Sequence, residues 1–155
     1  MGNRSVLISL LILAMAIASP DARLRDPRQS DLRGAIQLLS NGIAEPSIHL
    51  ELPENLDGVD PACAHVIFRC VQEAMTNAIK HAHASNLWVE LRRSETGWEI
   101  LVRDDGKGAA NIVPGNGLKG MKERLEEAGG NLQLESQPDE GFTIQAFIPF
   151  PGEFV

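Results

Sequence analysis

A polar stripe on a predicted long helix carries side chains suited to phosphate and metal chemistry. Asn77 has poor helix propensity and is most easily explained by a ligand for its side-chain oxygen. The alternative is a solvated helix face on which Glu73 pairs with Lys80 or Arg69, and spacing alone leaves both interpretations open. The stripe recurs every three or four residues and therefore shares one helix face: Arg69, Glu73, Asn77, Lys80 and His81.

A second candidate site follows a predicted apolar strand, in residues 103–108, Arg-Asp-Asp-Gly-Lys-Gly. An acidic residue at a strand end, here Asp104, can accept a hydrogen bond from the exocyclic amine of a planar ligand. Gly106 and Gly108 have no Cβ, so the backbone can approach such a ligand closely. Because Asp-Gly turns are common, this run alone indicates a turn as readily as a binding site.

A third candidate site is the run at residues 115–121, Gly-Asn-Gly-Leu-Lys-Gly-Met, which opens a predicted helix. The free backbone N–H groups at a helix start and the positive end of its dipole favour phosphate. The run is not a P-loop, because no Gly-Lys-Ser/Thr sequence closes it. An ordinary loop followed by a helix cap would have the same composition.

The elements that must position these residues alternate along the chain. Helices are predicted over residues 31–40, 61–83 and 121–128, the first two capped by Asp31 and Asp60. This order predicts an α/β (α+β) two-layer sandwich, in which a mixed β-sheet carries its helices on one face. Period-two apolar patterns between turn residues predict the strands: 47–52, 87–93, 98–103, 132–136 and 142–150.

Composition indicates one globular domain and argues against a nucleic-acid partner. The 155 residues are 43% hydrophobic, enough for a single core. A net charge of −7 argues against a nucleic-acid partner, which demands clustered Lys and Arg.

Cys63 and Cys70 lie seven residues apart on the long helix, roughly 10 Å by helical rise and beyond disulfide reach. We therefore expect core thiols in a reducing compartment.

The N-terminal residues differ from the rest of the chain. Residues 6–18 are apolar except for Ser9 and follow Arg4. They are shorter than the roughly 20 residues that a membrane-crossing helix needs. The run ends in small residues typical of a signal-peptidase site. A signal peptide, a buried helix and a fragment of a membrane-anchored parent all remain open.

The predicted boundaries follow from this difference. We expect an N-terminal segment and linker at residues 1–30, a domain at 31–150 and a tail at 151–155. More arginines follow the apolar run than precede it, which would leave the domain in the cytoplasm if the run anchors. We accordingly expect a cytoplasmic domain whose only route to a membrane is residues 5–18.

The three candidate sites, taken in order, resemble the three boxes of the ATP-binding domain of bacterial sensor histidine kinases. Residues 72–82, Gln-Glu-Ala-Met-Thr-Asn-Ala-Ile-Lys-His-Ala, resemble the N box, and the pattern Asp-x-Gly-x-Gly at 104–108 resembles the G1 box. The pattern Gly-x-Gly-Leu-x-Gly-Met-x-Glu-Arg at 115–124 resembles the G2 box of the nitrate-sensor and membrane-fluidity-sensor subgroup. The resemblance covers residues 31–149 and implies a Bergerat-type sandwich with ATP between the long helix and a mobile lid.

The resemblance also implies a role for each matching residue. Asn77 would coordinate Mg²⁺ between the phosphates, Glu73 would orient metal-bound water or polarise the reaction, and Lys80 and His81 would lie near the phosphates. Asp104 would accept the adenine amino group. Leu118 and Thr143 would also contact the nucleotide. Five glycines would admit the ring or let the lid at 109–116 fold: Gly106, Gly108, Gly115, Gly117 and Gly120.

Two departures from the family pattern qualify these expectations. The family commonly has Thr directly after the glycine of its last motif, whereas here Phe142 follows Gly141 and Thr143 comes one residue later. No histidine lies in the acidic-basic helical context of a phosphoacceptor; the histidines are His49, His65, His81 and His83.

The resemblance predicts a domain that binds Mg-ATP and donates its γ-phosphoryl to a histidine outside this sequence. Its partners would be an acceptor-helix region, which dimerises such kinases, and a downstream response regulator. Two alternatives remain open, a stand-alone serine kinase of the anti-sigma type and a nucleotide-responsive binding module without transfer activity.

Overall fold

The computed structural model describes residues 32–152. The apolar segment, the linker, the helix cap predicted at Asp31 and the last three residues of the tail lie outside the described residues. Within 32–152, no helix is both long and apolar enough to cross a membrane.

Five strands form one mixed sheet, as the sequence predicted. Its spatial order is β1-β2-β3-β5-β4, with β1 parallel to β2 and the other neighbours antiparallel. Each strand boundary lies within one residue of its predicted position. The strands are β1 Ser47–Glu51, β2 Asn86–Arg93, β3 Gly97–Asp104, β4 Asn131–Ser136 and β5 Phe142–Pro149.

Three helices cover one face of this sheet: α1 Leu32–Asn41, α2 Pro61–Asn77 and α3 Asn116–Glu127. Alternate residues of the central strands, such as Val89 and Ile100, are buried beneath them, because successive side chains of a strand point to opposite faces. The intervening residues, including Trp88 and Arg103, lie on the face that the described helices leave open. The two-layer sandwich with helices on one face is confirmed.

The long helix begins where its capping residues predicted. Asp60 Oδ1 accepts hydrogen bonds from the backbone N–H groups of Ala62, at 2.9 Å, and of Cys63, at 3.2 Å, and Pro61 occupies the first turn. Both cysteines of the helix are free and buried, and burial raises the pKa of the Cys70 thiol to about 12. The prediction of unbridged core thiols is confirmed.

The end of the long helix departs from the prediction of a continuous α-helix to residue 83. After Asn77 the chain widens into a π-helical turn at Ala78–Ala82. His83 then stops the helix with a left-handed backbone, φ 47°. Such turns are rare and occur often at functional sites, and this one carries Lys80 and His81.

The start of α3 corrects the predicted helix at 121–128. The helix begins at Asn116, with Gly115 as its N-cap, so that Gly117 and Gly120 lie inside it and not in a loop. A buried stripe explains the earlier start, because packing overrides the low helix propensity of glycine. The stripe consists of Leu118, Met121 and Leu125.

Candidate functional site

One cavity of about 610 Å³ lies between the end of α2, the ends of β2, β3 and β5, and the segment leading to α3. This size is typical of small-molecule sites. Arg69 is not among its lining residues and instead donates a hydrogen bond to Gln72 Oε1 at 2.9 Å. Nine predicted site residues line the cavity: Glu73, Asn77, Lys80, His81, Asp104, Gly108, Gly115, Gly117 and Leu118.

Asp104 supplies a buried carboxylate to the wall of this cavity. It is the last residue of β3 and only 6% exposed. Burial raises the pKa of the Asp104 carboxyl, and hydrogen bonds from the backbone N–H groups of Gly106 and Phe142 partly offset that rise. The Gly106 N–H reaches Asp104 Oδ1 at 2.8 Å. The carboxylate is thus fixed by backbone donors and can accept a further donor from a ligand.

The glycines beside Asp104 are required by the protein's own packing. Gly108 has φ +59°, and a Cβ there would lie 2.0 Å from the carbonyl oxygen of Gln137. Gly141 has φ +79°, and a Cβ there would lie 2.0 Å from the carbonyl oxygen of Asp104. The β4–β5 turn and the loop after Asp104 therefore interlock backbone to backbone. Gly106 is buried and lies outside the cavity lining.

Asn77 and Glu73 line the cavity from one side of α2. The Asn77 amide nitrogen is buried and has no hydrogen-bond partner among the described residues. The Glu73 carboxylate packs against the first turn of α3, where a Cβ on Gly117 would lie 1.8 Å from Oε1. Gly117 thus leaves room for an acidic side chain at the positive end of the α3 dipole.

Basic side chains also line the cavity. Lys80 and His81, on the π-helical turn, line it from exposed positions. Lys107 lines it from the loop after Asp104. Sequence reasoning assigned no role to Lys107, because a lysine between two glycines reads equally well as a solvated turn residue.

Besides Gly106, the structure leaves two more predicted site residues, Thr143 and Gly120, outside the cavity lining. Thr143 alternates along β5 with Phe142 and Ile144, which line the cavity, so its side chain belongs to the open face of the sheet. Gly120 lies one helical turn beyond Gly117, and a Cβ there would approach only the end of the Arg124 side chain, at 3.4 Å. Neither residue serves as a lining contact.

An apolar wall was also missed by sequence reasoning. Phe142 lines the cavity at the position where a Thr was expected. The predicted lid contributes Ile112 and Val113, and Val113 is 86% exposed. The alternation of side chains along each strand could have predicted this wall, because its strand residues lie on the same inward face as Asp104: Leu87, Val102 and Ile144.

Among residues 32–152, no three His, Cys, Asp or Glu side chains form a group that could hold a metal ion. Magnesium commonly takes one or two protein oxygens and completes its coordination with water and substrate phosphates. A single amide such as Asn77 is therefore an adequate protein ligand for Mg²⁺.

Comparison with known proteins decides the family. Residues 64–152 match the family described as histidine kinase-, DNA gyrase B- and HSP90-like ATPase. The chain belongs to this ATPase family. The matched residues begin in the first turn of α2 and include the last four strands, so they contain every residue that lines the cavity.

Curated relatives of this ATPase-family chain are sensor histidine kinases. Sensor histidine kinase LnrJ of Bacillus subtilis (strain 168) is 40% identical over 80 residues, which cover 52% of this chain and 20% of LnrJ. DesK of the same organism is 36% identical over 95 residues, which cover 59% of this chain and 25% of DesK. The chain thus spans only about a fifth to a quarter of the length of these relatives.

Solved structures share the fold. The blue-light activated histidine kinase of Erythrobacter litoralis aligns with a TM-score of 0.62 at 21% identity, covering 79% of this chain and 40% of that one. The histidine kinase AdeS of Acinetobacter baumannii aligns with a TM-score of 0.58 at 14% identity, covering 93% of this chain and 76% of that one. At these identities the likeness concerns the fold alone, and it confirms the predicted ATPase sandwich.

Proposed function

We propose that this chain binds Mg-ATP in the cavity and serves as the catalytic domain of a two-component sensor histidine kinase. The observation that carries the proposal is that one cavity is lined both by a buried carboxylate, Asp104, and by Asn77, Glu73 and the start of α3. The names of the relatives support the same class. The cytoplasm would be the compartment that supplies ATP to the domain.

The base would bind beside Asp104. An ionised carboxylate accepts a hydrogen bond from the exocyclic amine of adenine, and the apolar surfaces of Leu87, Val102 and Ile144 suit a planar ring. Backbone N–H groups of Gly106 and Phe142 already donate to the Asp104 carboxylate from the protein side. The acceptor positions that remain would therefore serve the adenine amine alone. Asp104→Asn should weaken ATP binding by about 1–3 kcal/mol, the usual cost of an unsatisfied buried group. Equal losses for ATP and for a triphosphate without a base would refute this role.

The phosphates would bind at the opposite end. Backbone N–H groups of the first turn of α3 have no intrahelical partners and favour anions, Lys80 and Lys107 add positive charge, and His81 adds a ring that can donate a hydrogen bond. Asn77 would hold Mg²⁺ through its side-chain oxygen, and the ion would neutralise phosphate charge when bound. The unpartnered Asn77 amide nitrogen could donate a hydrogen bond to a phosphate oxygen while the side-chain oxygen faces the ion.

Transfer would move the γ-phosphoryl group from ATP to an imidazole nitrogen of the acceptor histidine. The unprotonated imidazole nitrogen attacks the γ-phosphorus with its lone pair and forms a phosphorus–nitrogen bond, while the bond from the γ-phosphorus to its bridging oxygen breaks and its electron pair leaves with ADP. The proton on the other ring nitrogen is then released to solvent. Such transfer depends mainly on positioning and charge neutralisation. Glu73, which lines the same cavity, would polarise this step.

Asn77→Ala tests the metal end. The substitution should abolish Mg²⁺-dependent ATP binding, measured by calorimetry with and without Mg²⁺, and leave circular dichroism unchanged, because Asn77 lines the cavity. Asn111→Ala, which removes a second amide from the same cavity lining, is the matched control. Unchanged affinity for Mg-ATP in Asn77→Ala would contradict the assignment.

Labelled ATP tests the transfer. We expect the purified chain to bind ATP and to incorporate no acid-labile phosphate by itself. Addition of the dimeric acceptor-helix region of a related kinase should restore weak labelling, because parts joined at high effective concentration must here meet by diffusion. Labelling of an anti-sigma antagonist would instead favour the serine kinase, and binding without any transfer would favour a nucleotide-responsive module. Phosphohistidine at His49, His65, His81 or His83 would refute the view that the acceptor lies elsewhere.

A further inference from the structure

A hydrogen-bonded clamp joins the end of β3 to the start of β2. Asp105 Oδ1 accepts from the backbone N–H groups of Ser85 and Asn86, at 2.9 Å each, and Asp105 Oδ2 accepts from Asn86 Nδ2 at 2.9 Å. The backbone N–H of Asp105 donates in turn to the carbonyl oxygen of Asn86 at 3.3 Å. The side-chain hydrogen bond from Asn86 is the main cause that lowers the pKa of the Asp105 carboxyl.

The clamp extends to a third strand through the open face of the sheet. Asn86 Oδ1 lies 2.8 Å from His49 Nε2, and the ring of His49 stacks on Trp88 with 5.4 Å between centroids. The guanidinium of Arg103 lies 5.0 Å from the Trp88 ring centroid. The pair formed by Asp105 and Asn86 is therefore supported from β1, β2 and β3.

The place of the clamp in the chain gives it a functional meaning. Asp105 directly follows Asp104, whose carboxylate lines the cavity, whereas Asp105 itself does not. Ser85 and Asn86 come two and three residues after the left-handed His83, which ends the π-helical turn. The clamp thus ties the base end of the site to the turn that carries Lys80.

We propose that Asp105 and Asn86 are positioning residues for base recognition, and that their hydrogen bonds hold Asp104 where it accepts the adenine amine. The inference rests on the proposed binding of ATP in this cavity. Strand β3 fixes the backbone before Asp104, and the clamp fixes the peptide after it, whose N–H donates to the carbonyl oxygen of Asn86. Loss of the clamp would let that peptide rotate and turn the Asp104 carboxylate, and recognition groups tolerate only about half an ångström of misplacement.

A reciprocal swap tests the clamp. Asp105→Asn keeps an oxygen for the two backbone donors but opposes two amide NH₂ groups, and Asn86→Asp opposes two carboxylates. The double variant Asn86→Asp/Asp105→Asn restores one donor facing one acceptor at the unchanged net charge. Asp57→Asn, which changes an exposed carboxylate outside the cavity, is the charge-matched control.

The readout is the preference for ATP over a purine-riboside triphosphate that lacks the exocyclic amine, measured by calorimetry with Mg²⁺ for the full chain, together with Tm. We expect the single variants to lose about tenfold in that preference, equivalent to roughly 1.4 kcal/mol, the double variant to recover most of it, and Asp57→Asn to retain it. Singles that keep the wild-type preference would overturn the inference. The inference would also be overturned if the single variants lost affinity equally for both triphosphates, in step with a lower Tm, and the double variant did not recover it. A wild-type chain that binds neither triphosphate would refute the proposed function itself, and the inference with it.

Discussion

Replacing Gly108 with alanine should destabilise the whole domain, although every group proposed to contact nucleotide stays in place. A Cβ at this position would lie 2.0 Å from the carbonyl oxygen of Gln137 and 2.8 Å from that of Gly141. Both neighbours are backbone atoms of the β4–β5 turn, so neither can move aside alone. The positive φ of Gly108 adds strain for any residue with a side chain.

The magnitude follows from three contributions. A left-handed conformation costs an alanine roughly 1–2 kcal/mol, and relieving an overpacked contact by a backbone shift costs about 1–3 kcal/mol. The lower entropy of alanine in the unfolded chain returns about 0.4–1 kcal/mol. The net loss is about 2–4 kcal/mol, which lowers Tm by roughly 10 °C for a domain of this size.

Urea and thermal unfolding followed by circular dichroism measure this loss. Gly115→Ala is the matched control, because Gly115 also lines the cavity, has φ −77° and offers open space to a Cβ. Its cost should stay below about 1 kcal/mol. A Gly108→Ala variant that unfolds like the wild type but binds ATP weakly would refute the reasoning and return Gly108 to the ligand-admitting role that the family resemblance implied.

Two further predictions concern the same cavity. The folded-state pKa of Asp104 is raised from about 3.8, so the folded state retains this proton at pH values where the unfolded state has lost it. Stability should therefore fall as pH rises from 3.8 through the raised value; urea titrations should show this decline in the wild type and not in Asp104→Asn, and an identical pH profile would refute it. Gly117→Ala would displace the Glu73 carboxylate and should reduce transfer to an added acceptor-helix region at least tenfold. Gly120→Ala, inside the same helix, should preserve transfer and add about 0.5–1 kcal/mol of stability; equal activity of both variants would contradict the steric argument.

The order of elements could be predicted from local signals. The Asp60-Pro61 cap set the start of α2, and turn residues between period-two runs set each strand within one residue. Helical geometry also predicted Glu73 and Asn77 on one face, and the strand end predicted Asp104 as a site residue; all three line the cavity. These features depend only on residues close together in the chain.

What could not be predicted depends on contacts between distant segments. Packing of Leu118 holds Gly117 in helix despite its propensity. The face of Thr143 depends on the register of β5 against β3, which the sequence alone left open. The interlock of Gly108 with Gln137 joins segments almost thirty residues apart, and no local pattern announces it.

The backbone contacts of Gly108 and Gly141 make one end of the cavity more rigid than the other. At one end the loop is locked to the β4–β5 turn, and Ser136 Oγ adds a bridge from Gly141 O, at 2.7 Å, to the Ala109 N–H, at 2.9 Å. At the other end Gly115 has open space around it. The entropy lost on nucleotide capture would then fall almost entirely on the segment between Ala109 and Gly115. Substitutions in that short segment could tune residence time while leaving the choice of base untouched.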